Sequence, residues 1–249
     1  LRNRRIGCSV SGVAQFITNR GLDELQNWLE NGYDTIQDWD KQYSDWFAVP
    51  KSIKTTSVKP SGTVSLLAGA TPGLHYPESR FYIRRVRLSN HSELLEPLKK
   101  AGYKIEPAFG SEDSTMVVEV PVDVGEGIRT AAELSIWEQF SLAAFLQRHW
   151  ADNQVSCTAT FNPETEAEQL PYVLNYFQYR LKGISLLPRH DYGAYKQMPY
   201  ESINEKEYNK QVKKLGKLSF GVIKNEEAEI DKFCNNDSCE IPGEKIKST

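Results

Sequence analysis

Val155-Ser156-Cys157-Thr158-Ala159-Thr160-Phe161 alternates apolar and hydroxyl-bearing side chains over most of its length. A period of two puts Val155, Cys157, Ala159 and Phe161 on one face, so the spacing predicts a half-buried strand. Upstream, residues 131–150 carry Leu134, Ile136, Trp137, Phe140, Leu142, Phe145 and Leu146 nearly all the way round. That distribution predicts a helix covered on two sides. Downstream, Asn162-Pro163 reads as a cap and first-turn proline opening another helix. Leu170, Val173, Leu174, Phe177 and Leu181 mark its buried face, Pro171 kinks or restarts it, and Gly183 ends it. Residues 184–187 form a short apolar strand. Helix and strand thus alternate through the middle of the chain, the pattern of an α/β fold with parallel strands.

The first fifty residues read as helical. Phe16 and Ile17 lie in a short segment stopped at Asn19-Arg20-Gly21. Leu22, Leu25 and Leu29 then recur at helical spacing, Gly32 interrupts them, and Ile36, Trp39, Tyr43 and Trp46 resume the pattern before Pro50. Residues 54–58 suit a short strand, and 81–88 and 115–122 are further candidates. Pro121 costs the last of these a ladder donor, which places its far end at a sheet edge. Beyond Leu215, an acidic stretch and a polar one predict a mobile tail with little to bury.

The chain has 249 residues, 39% of them hydrophobic, enough for a real core. Thirty basic against 33 acidic residues leave a net charge of -3, which argues against a polymeric nucleic-acid partner. No run approaches eighteen apolar residues, so no membrane span is expected. No secretory signal is recognisable. Four cysteines are too few for a disulfide scaffold and point to a reducing, cytoplasmic setting. The first residue is Leu1, not methionine, and the expectation is a piece of a longer protein.

Three features could carry chemistry. Lys59-Pro60-Ser61-Gly62-Thr63-Val64-Ser65 sets a glycine among hydroxyls between a strand and a possible helix start, where backbone N–H groups can meet an anion. It lacks the Walker spacing, and a plain tight turn is the competing reading. Gly69-Ala70-Thr71-Pro72-Gly73-Leu74-His75-Tyr76-Pro77 offers small residues for close approach of a large ligand, followed by Arg80, Arg84, Arg85 and Arg87 as possible anion holders. An ordinary loop leading into an arginine-protected edge strand is the alternative. His75, like His91, His149 and His190, has no partner at ligand spacing, so no metal site is indicated. Cys234 and Cys239, among Asn, Asp and Ser, could close a small disulfide and deliver electrons. Cys8 and Cys157 read as small core residues.

At these residues a resemblance emerges. Arg4-Arg5-Ile6-Gly7, Thr55-Thr56-Ser57-Val58-Lys59-Pro60-Ser61-Gly62-Thr63, the 69–77 loop, Ser185-Leu186-Leu187-Pro188, and Tyr195-Lys196-Gln197-Met198-Pro199-Tyr200 all resemble the monomeric class II, adenosylcobalamin-dependent ribonucleoside-triphosphate reductases. The tail cysteine pair matches in spacing and position, and the likeness runs along nearly the whole chain. The resemblance implies reduction of the 2′-hydroxyl of ribonucleoside triphosphates inside a ten-stranded α/β barrel. Adenosylcobalamin would initiate a thiyl radical, and thioredoxin would recycle the tail pair. It implies Cys234 and Cys239 as a thiol shuttle and Pro60, Ser61, Gly62 and Thr63 as holders of the substrate phosphates. Ala70, Thr71, Pro72, Gly73, Leu74, His75, Tyr195, Lys196 and Gln197 would be cobalamin contacts.

The departures are informative. The family's radical loop, an Asn-Pro-Cys-x-Glu-like sequence, is absent, and so are the barrel disulfide cysteines and the effector region. Expected, then, are the C-terminal half of the barrel over residues 1–215, a flexible redox tail over 216–249, and no turnover by the chain alone. The alternatives are a non-catalytic cobalamin- or nucleotide-binding module and a thiol–disulfide module serving another partner.

Overall fold

Two parallel strand pairs and one antiparallel sheet organise the chain, and the computed structural model describes residues 4–62, 64–189 and 196–219. These residues form two compact units, the first of residues 4–80 and 124–189, the second of 81–123 and 196–219. No helix among the described residues is long and apolar enough to cross a membrane.

In the first unit, β1 (Arg5–Ser9) runs parallel to β2 (Lys54–Ser57), and β6 (Thr158–Phe161) runs parallel to β7 (Ser185–Pro188). A parallel bridge from Val58 to Val155 joins the pairs into the run β1-β2-β6-β7. Parallel neighbours need crossovers. Helices α1 (Val13–Arg20) and α2 (Leu22–Trp46) lie between β1 and β2 in sequence, and α5 (Leu170–Phe177) lies between β6 and β7. This is the expected α/β alternation. Helix α4 (Ile136–His149) shows why its polar face is narrow. Ala143 and Leu146 pack with Val13, Leu25, Leu29 and Val155, whereas Ile136 and Phe140 pack with Ala159, Phe161, Val173 and Phe177. Burying each large side chain contributes about 1.5–3 kcal/mol.

Several boundaries differ from expectation, each for a local reason. Gly32 does not interrupt α2, which runs unbroken beneath the Trp150 ring; a methyl group there would sit 3.4 Å from that ring. Residues 131–150 are not one helix, because Thr130 with Glu133 and Ser135 with Glu138 form two successive capping boxes. The first box starts only a 3-10 turn over Ala131–Glu133. Asn162 opens a turn, its side-chain oxygen accepting the Glu164 N–H at 2.9 Å. The helix proper begins at Leu170 with Pro171 in its first turn, and it stops at Phe177, before Gly183.

Glu166 stitches these elements together. Its carboxylate accepts the Ile136 N–H at 2.8 Å, at the start of α4, and the Asn162 N–H at 2.7 Å, just past β6. Arg189, just past β7, reaches it at 2.9 Å and also donates to the Ala131 carbonyl at 3.0 Å.

The second unit departs from a purely parallel fold. Strands β3 (Phe81–Ser89), β4 (Lys104–Pro107), β5 (Thr115–Asp123) and β8 (Tyr200–Ser202) form an antiparallel sheet in the order β4-β5-β3-β8. Helix α3 (Leu95–Lys100) precedes β4, and α6 (Glu205–Val212) follows β8. β3 is an inner strand, not an edge. β4 covers β5 only from Met116 to Glu119, so the end carrying Pro121 lies at an edge. Buried Val117 and Val118 anchor the sheet.

Candidate functional site

The turn after β2 rests on a buried polar foundation. Thr55 donates its N–H and hydroxyl to Asp152 at 3.1 and 3.0 Å, and the Thr56 hydroxyl accepts the Asp152 N–H at 2.9 Å. Both threonines are fully buried. The Tyr33 hydroxyl donates to the same carboxylate at 3.0 Å; burial comes first, the carboxylate second, in pushing its pKa up. A strand pinned this firmly delivers the following turn in one place. There the Lys59 N–H donates to Ser9 Oγ at 2.9 Å, and Ser61 adopts φ of +49°, a left-handed conformation that an L-residue holds only under constraint. The Ser61 carbonyl accepts the Ser65 N–H at 3.0 Å, at the start of a 3-10 turn over Val64–Ala68. The N–H groups of Ser61 and Gly62 have no acceptor among the described residues.

The 69–77 loop packs directly on this turn. The Gly73 N–H donates to Ser61 Oγ at 2.9 Å, and Ser61 Oγ lies 2.6 Å from Ser11 Oγ. Gly73 has φ of +51°, and any Cβ there would sit 2.8 Å from the Lys59 carbonyl, so only glycine permits the approach. The first turn of α1 closes the arrangement. The Gly12 N–H donates to the Thr71 carbonyl at 2.8 Å and the Val13 N–H to the Gly73 carbonyl at 3.3 Å. The Gln15 amide donates to the Gly69 carbonyl at 3.0 Å and accepts the Thr71 N–H at 2.8 Å.

Within the loop, Thr71, Gly73 and Leu74 are buried, whereas Gly69 is exposed and Ala70 and Pro72 are half-buried. His75 serves the fold. Its Nδ1 donates to the Pro72 carbonyl at 3.3 Å, a tautomer consistent with Nε2 accepting the Thr158 N–H at 3.2 Å. Desolvation pushes its pKa down, so the ring stays neutral.

Lys196 and Gln197 belong to the second unit. Gln197, at φ of +58°, accepts the Phe109 N–H at 2.8 Å and donates to Glu106 at 2.7 Å and the Pro107 carbonyl at 2.9 Å. Its amide thus clasps the end of β4. The Lys196 amine stands 5.0 Å over the exposed Phe109 ring.

The arginines do not gather into an anion site. Arg80, in the first unit, pairs with Glu126 at 3.4 Å. In the second, Arg84 lies buried over the Tyr200 ring at 4.6 Å, and Arg87 is buried too. Arg85 binds Glu119 through Nε and Nη2 at 3.0 and 2.9 Å, the Met198 carbonyl at 3.1 Å, and Glu201. It helps line a cavity of about 550 Å³ with Lys104, Glu119, Glu201 and Lys214.

Cys157 is a core residue as expected, its thiol pushed up to about 12 by burial, but Cys8 is exposed on β1. Among the described residues, β1 pairs only with β2, and four of its five residues are exposed. Thr63, His190, Tyr195, Cys234 and Cys239 lie outside the described residues. Ser11, Gly12 and Gln15 are the site residues that sequence reading missed. The small, hydroxyl-rich Ser9-Val10-Ser11-Gly12 run ahead of the helix was the one available signal.

No protein-family model matches the chain. It is 56% identical over 244 residues to an adenosylcobalamin-dependent ribonucleoside-triphosphate reductase of Euglena gracilis, covering 96% of this chain and 34% of that protein. A probable reductase of the same name from Dictyostelium discoideum is 55% identical over 97% of this chain and 32% of that protein. A crystal structure of a B12-dependent class II ribonucleotide reductase superposes with a TM-score of 0.74 at 33% identity, over 86% of this chain and 34% of the other. The chain therefore spans about a third of the length of the relatives it matches. Identity this high, sustained across both units and joined to a shared fold, makes the chain a relative, over nearly all its own length and about a third of theirs, of the adenosylcobalamin-dependent ribonucleoside-triphosphate reductases.

Proposed function

We propose that this chain forms part of an enzyme that reduces ribonucleoside triphosphates to deoxyribonucleoside triphosphates, and that it carries the substrate-phosphate turn, a cofactor loop and a thiol tail. One observation carries the reading: the 60–62 turn and the 69–77 loop, assigned to phosphate and cofactor, pack on each other through Ser61 and Gly73. The Ser61 and Gly62 N–H groups and the Ser61 hydroxyl would donate to phosphate oxygens, and Pro60 and Thr63 are proposed as further phosphate holders. The wider assembly in this proposal is a ten-stranded barrel whose C-terminal half is residues 1–215, followed by a redox tail over 216–249. Monomeric, cytoplasmic action belongs to the same proposal.

The loop suits adenosylcobalamin as a surface and not as a source of a cobalt ligand. Both His75 ring nitrogens are spent within the chain, while an added Cβ at Gly69 would meet nothing within 4 Å. Gly69, Ala70 and Pro72 would meet the cofactor, while Thr71, Gly73, Leu74 and His75 shape the loop behind them. Tyr195, Lys196 and Gln197 remain proposed cofactor contacts, and Gln197 holds its own segment against the end of β4. When bound, the cofactor supplies the radical through cleavage of its cobalt–carbon bond. The radical-bearing cysteine would belong to polypeptide beyond these 249 residues. Cys234 and Cys239 would deliver two electrons and two protons by closing to a disulfide, which thioredoxin reopens by thiol exchange.

The test is turnover by the full reductase carrying this sequence, supplied with adenosylcobalamin, a ribonucleoside triphosphate and thioredoxin. Deoxynucleotide should form, and Cys234→Ser with Cys239→Ser should abolish thioredoxin-driven turnover while a small dithiol still supports it. Binding of both ligands without any product would instead identify a non-catalytic binding module. The 249-residue chain alone should give no product.

A further inference from the structure

The cavity of the second unit is lined by charged groups that neutralise one another: Glu119 takes both Arg85 and Lys104, and Glu201 takes Arg85 again. The bracket around Ser61 is different, because its hydrogen bonds join two segments with different proposed ligands. Alternate peptide groups of residues 69–73 are held from α1 in turn: the Gly69 carbonyl by Gln15, the Thr71 N–H by Gln15, the Thr71 carbonyl by Gly12, and the Gly73 carbonyl by Val13. The remaining Gly73 N–H goes to Ser61 Oγ. Gln15 thus acts like a short strand edge for the loop, and Ser61 fastens the phosphate turn to it.

We propose that Gln15 and Ser61 are positioning residues that couple the two ligand sites, an inference resting on the assignment of turn and loop given above. The chemistry of one hydroxyl carries it. Ser61 Oγ accepts the Gly73 N–H and shares a proton with Ser11 Oγ. An anion on the turn takes the Ser61 proton as a hydrogen bond, so Ser11 becomes the donor and Ser61 Oγ accepts twice. A hydroxyl that donates to a charge is a stronger acceptor, so the bond from Gly73 tightens and the loop is held more firmly. Coupling free energy is reciprocal, so a ligand that orders the loop must raise anion affinity by the same factor.

Two dissociation constants measured with and without the other ligand test this in the full reductase. Calorimetry reads ribonucleoside triphosphate binding, and cobalamin absorbance reads cofactor binding. In the unaltered protein each saturating ligand should tighten the other by about fivefold or more, with equal factors. Ser61→Gly tolerates the positive φ and removes the hydroxymethyl group, Oγ included; the ratio should fall to about one, whatever happens to absolute nucleotide affinity. Gln15→Ala should weaken cobalamin binding and also flatten the ratio. A ratio of one in the unaltered protein, or one undiminished in Ser61→Gly, overturns the coupling while the functional reading stands. Failure to bind either ligand would remove both.

Discussion

Gly73 shows how much one residue can decide. Its φ lies in the left-handed region and its Cβ position is already filled by the Lys59 carbonyl. Gly73→Ala should therefore destabilise the protein by about 1–3 kcal/mol, read as a lower urea midpoint. Gly69→Ala, with similar φ but open space around it, should cost less. His75 makes a prediction in pH. Its folded pKa lies below its ordinary value because burial opposes the charge. Below about 6.5 the unfolded chain binds the proton and the folded chain does not, so stability should fall as pH drops through that value. His75→Gln should flatten stability against pH between about 5 and 6.5, beneath the unperturbed histidine value; an unchanged slope would show that the ring titrates freely.

At the scale of elements, Glu166 holds the central place because it closes three segments at once. It completes the N-terminus of α4, the exit of β6 and the exit of β7. Glu166→Ala would strand two backbone donors and the Arg189 guanidinium, and should cost about 3 kcal/mol in chemical denaturation. Glu166→Gln keeps hydrogen-bonding capacity and should cost less. Boundaries of elements were where sequence reading slipped. The paired capping boxes at Thr130 and Ser135 were visible as letters, yet the hydrophobic pattern running across them favoured one long helix. Gly32 looked like a break because glycine weakens an isolated helix; Trp150, distant in sequence, occupies the space beside it.

For the whole molecule, the outer face and C-terminal end of α2 matter. Trp39, Tyr43, Trp46 and Phe47 pack ring against ring, with centroids 5.4–6.3 Å apart, and Trp46 and Phe47 remain 64% and 71% exposed. A contiguous aromatic patch of this kind favours association. The isolated 249-residue chain should self-associate in sedimentation at micromolar concentration, and Trp46→Lys with Phe47→Lys should reduce it. Sedimentation as a clean monomer would contradict this.

Sequence alone determined the parallel α/β half of the fold, because periods of two and 3.6 are local and survive in the order of residues around Val155–Phe161 and along α1 and α2. It also identified the turn, the loop and the family they resemble, since those motifs are contiguous. Only the tertiary structure decided that the second sheet is antiparallel, that Arg85 is committed to Glu119 and Glu201, and that His75 is a structural residue. It alone brought Gln15 to the 69–73 peptides and Gly73 to Ser61. Such hydrogen bonds join residues far apart in the chain, and no local pattern encodes a partner at that distance.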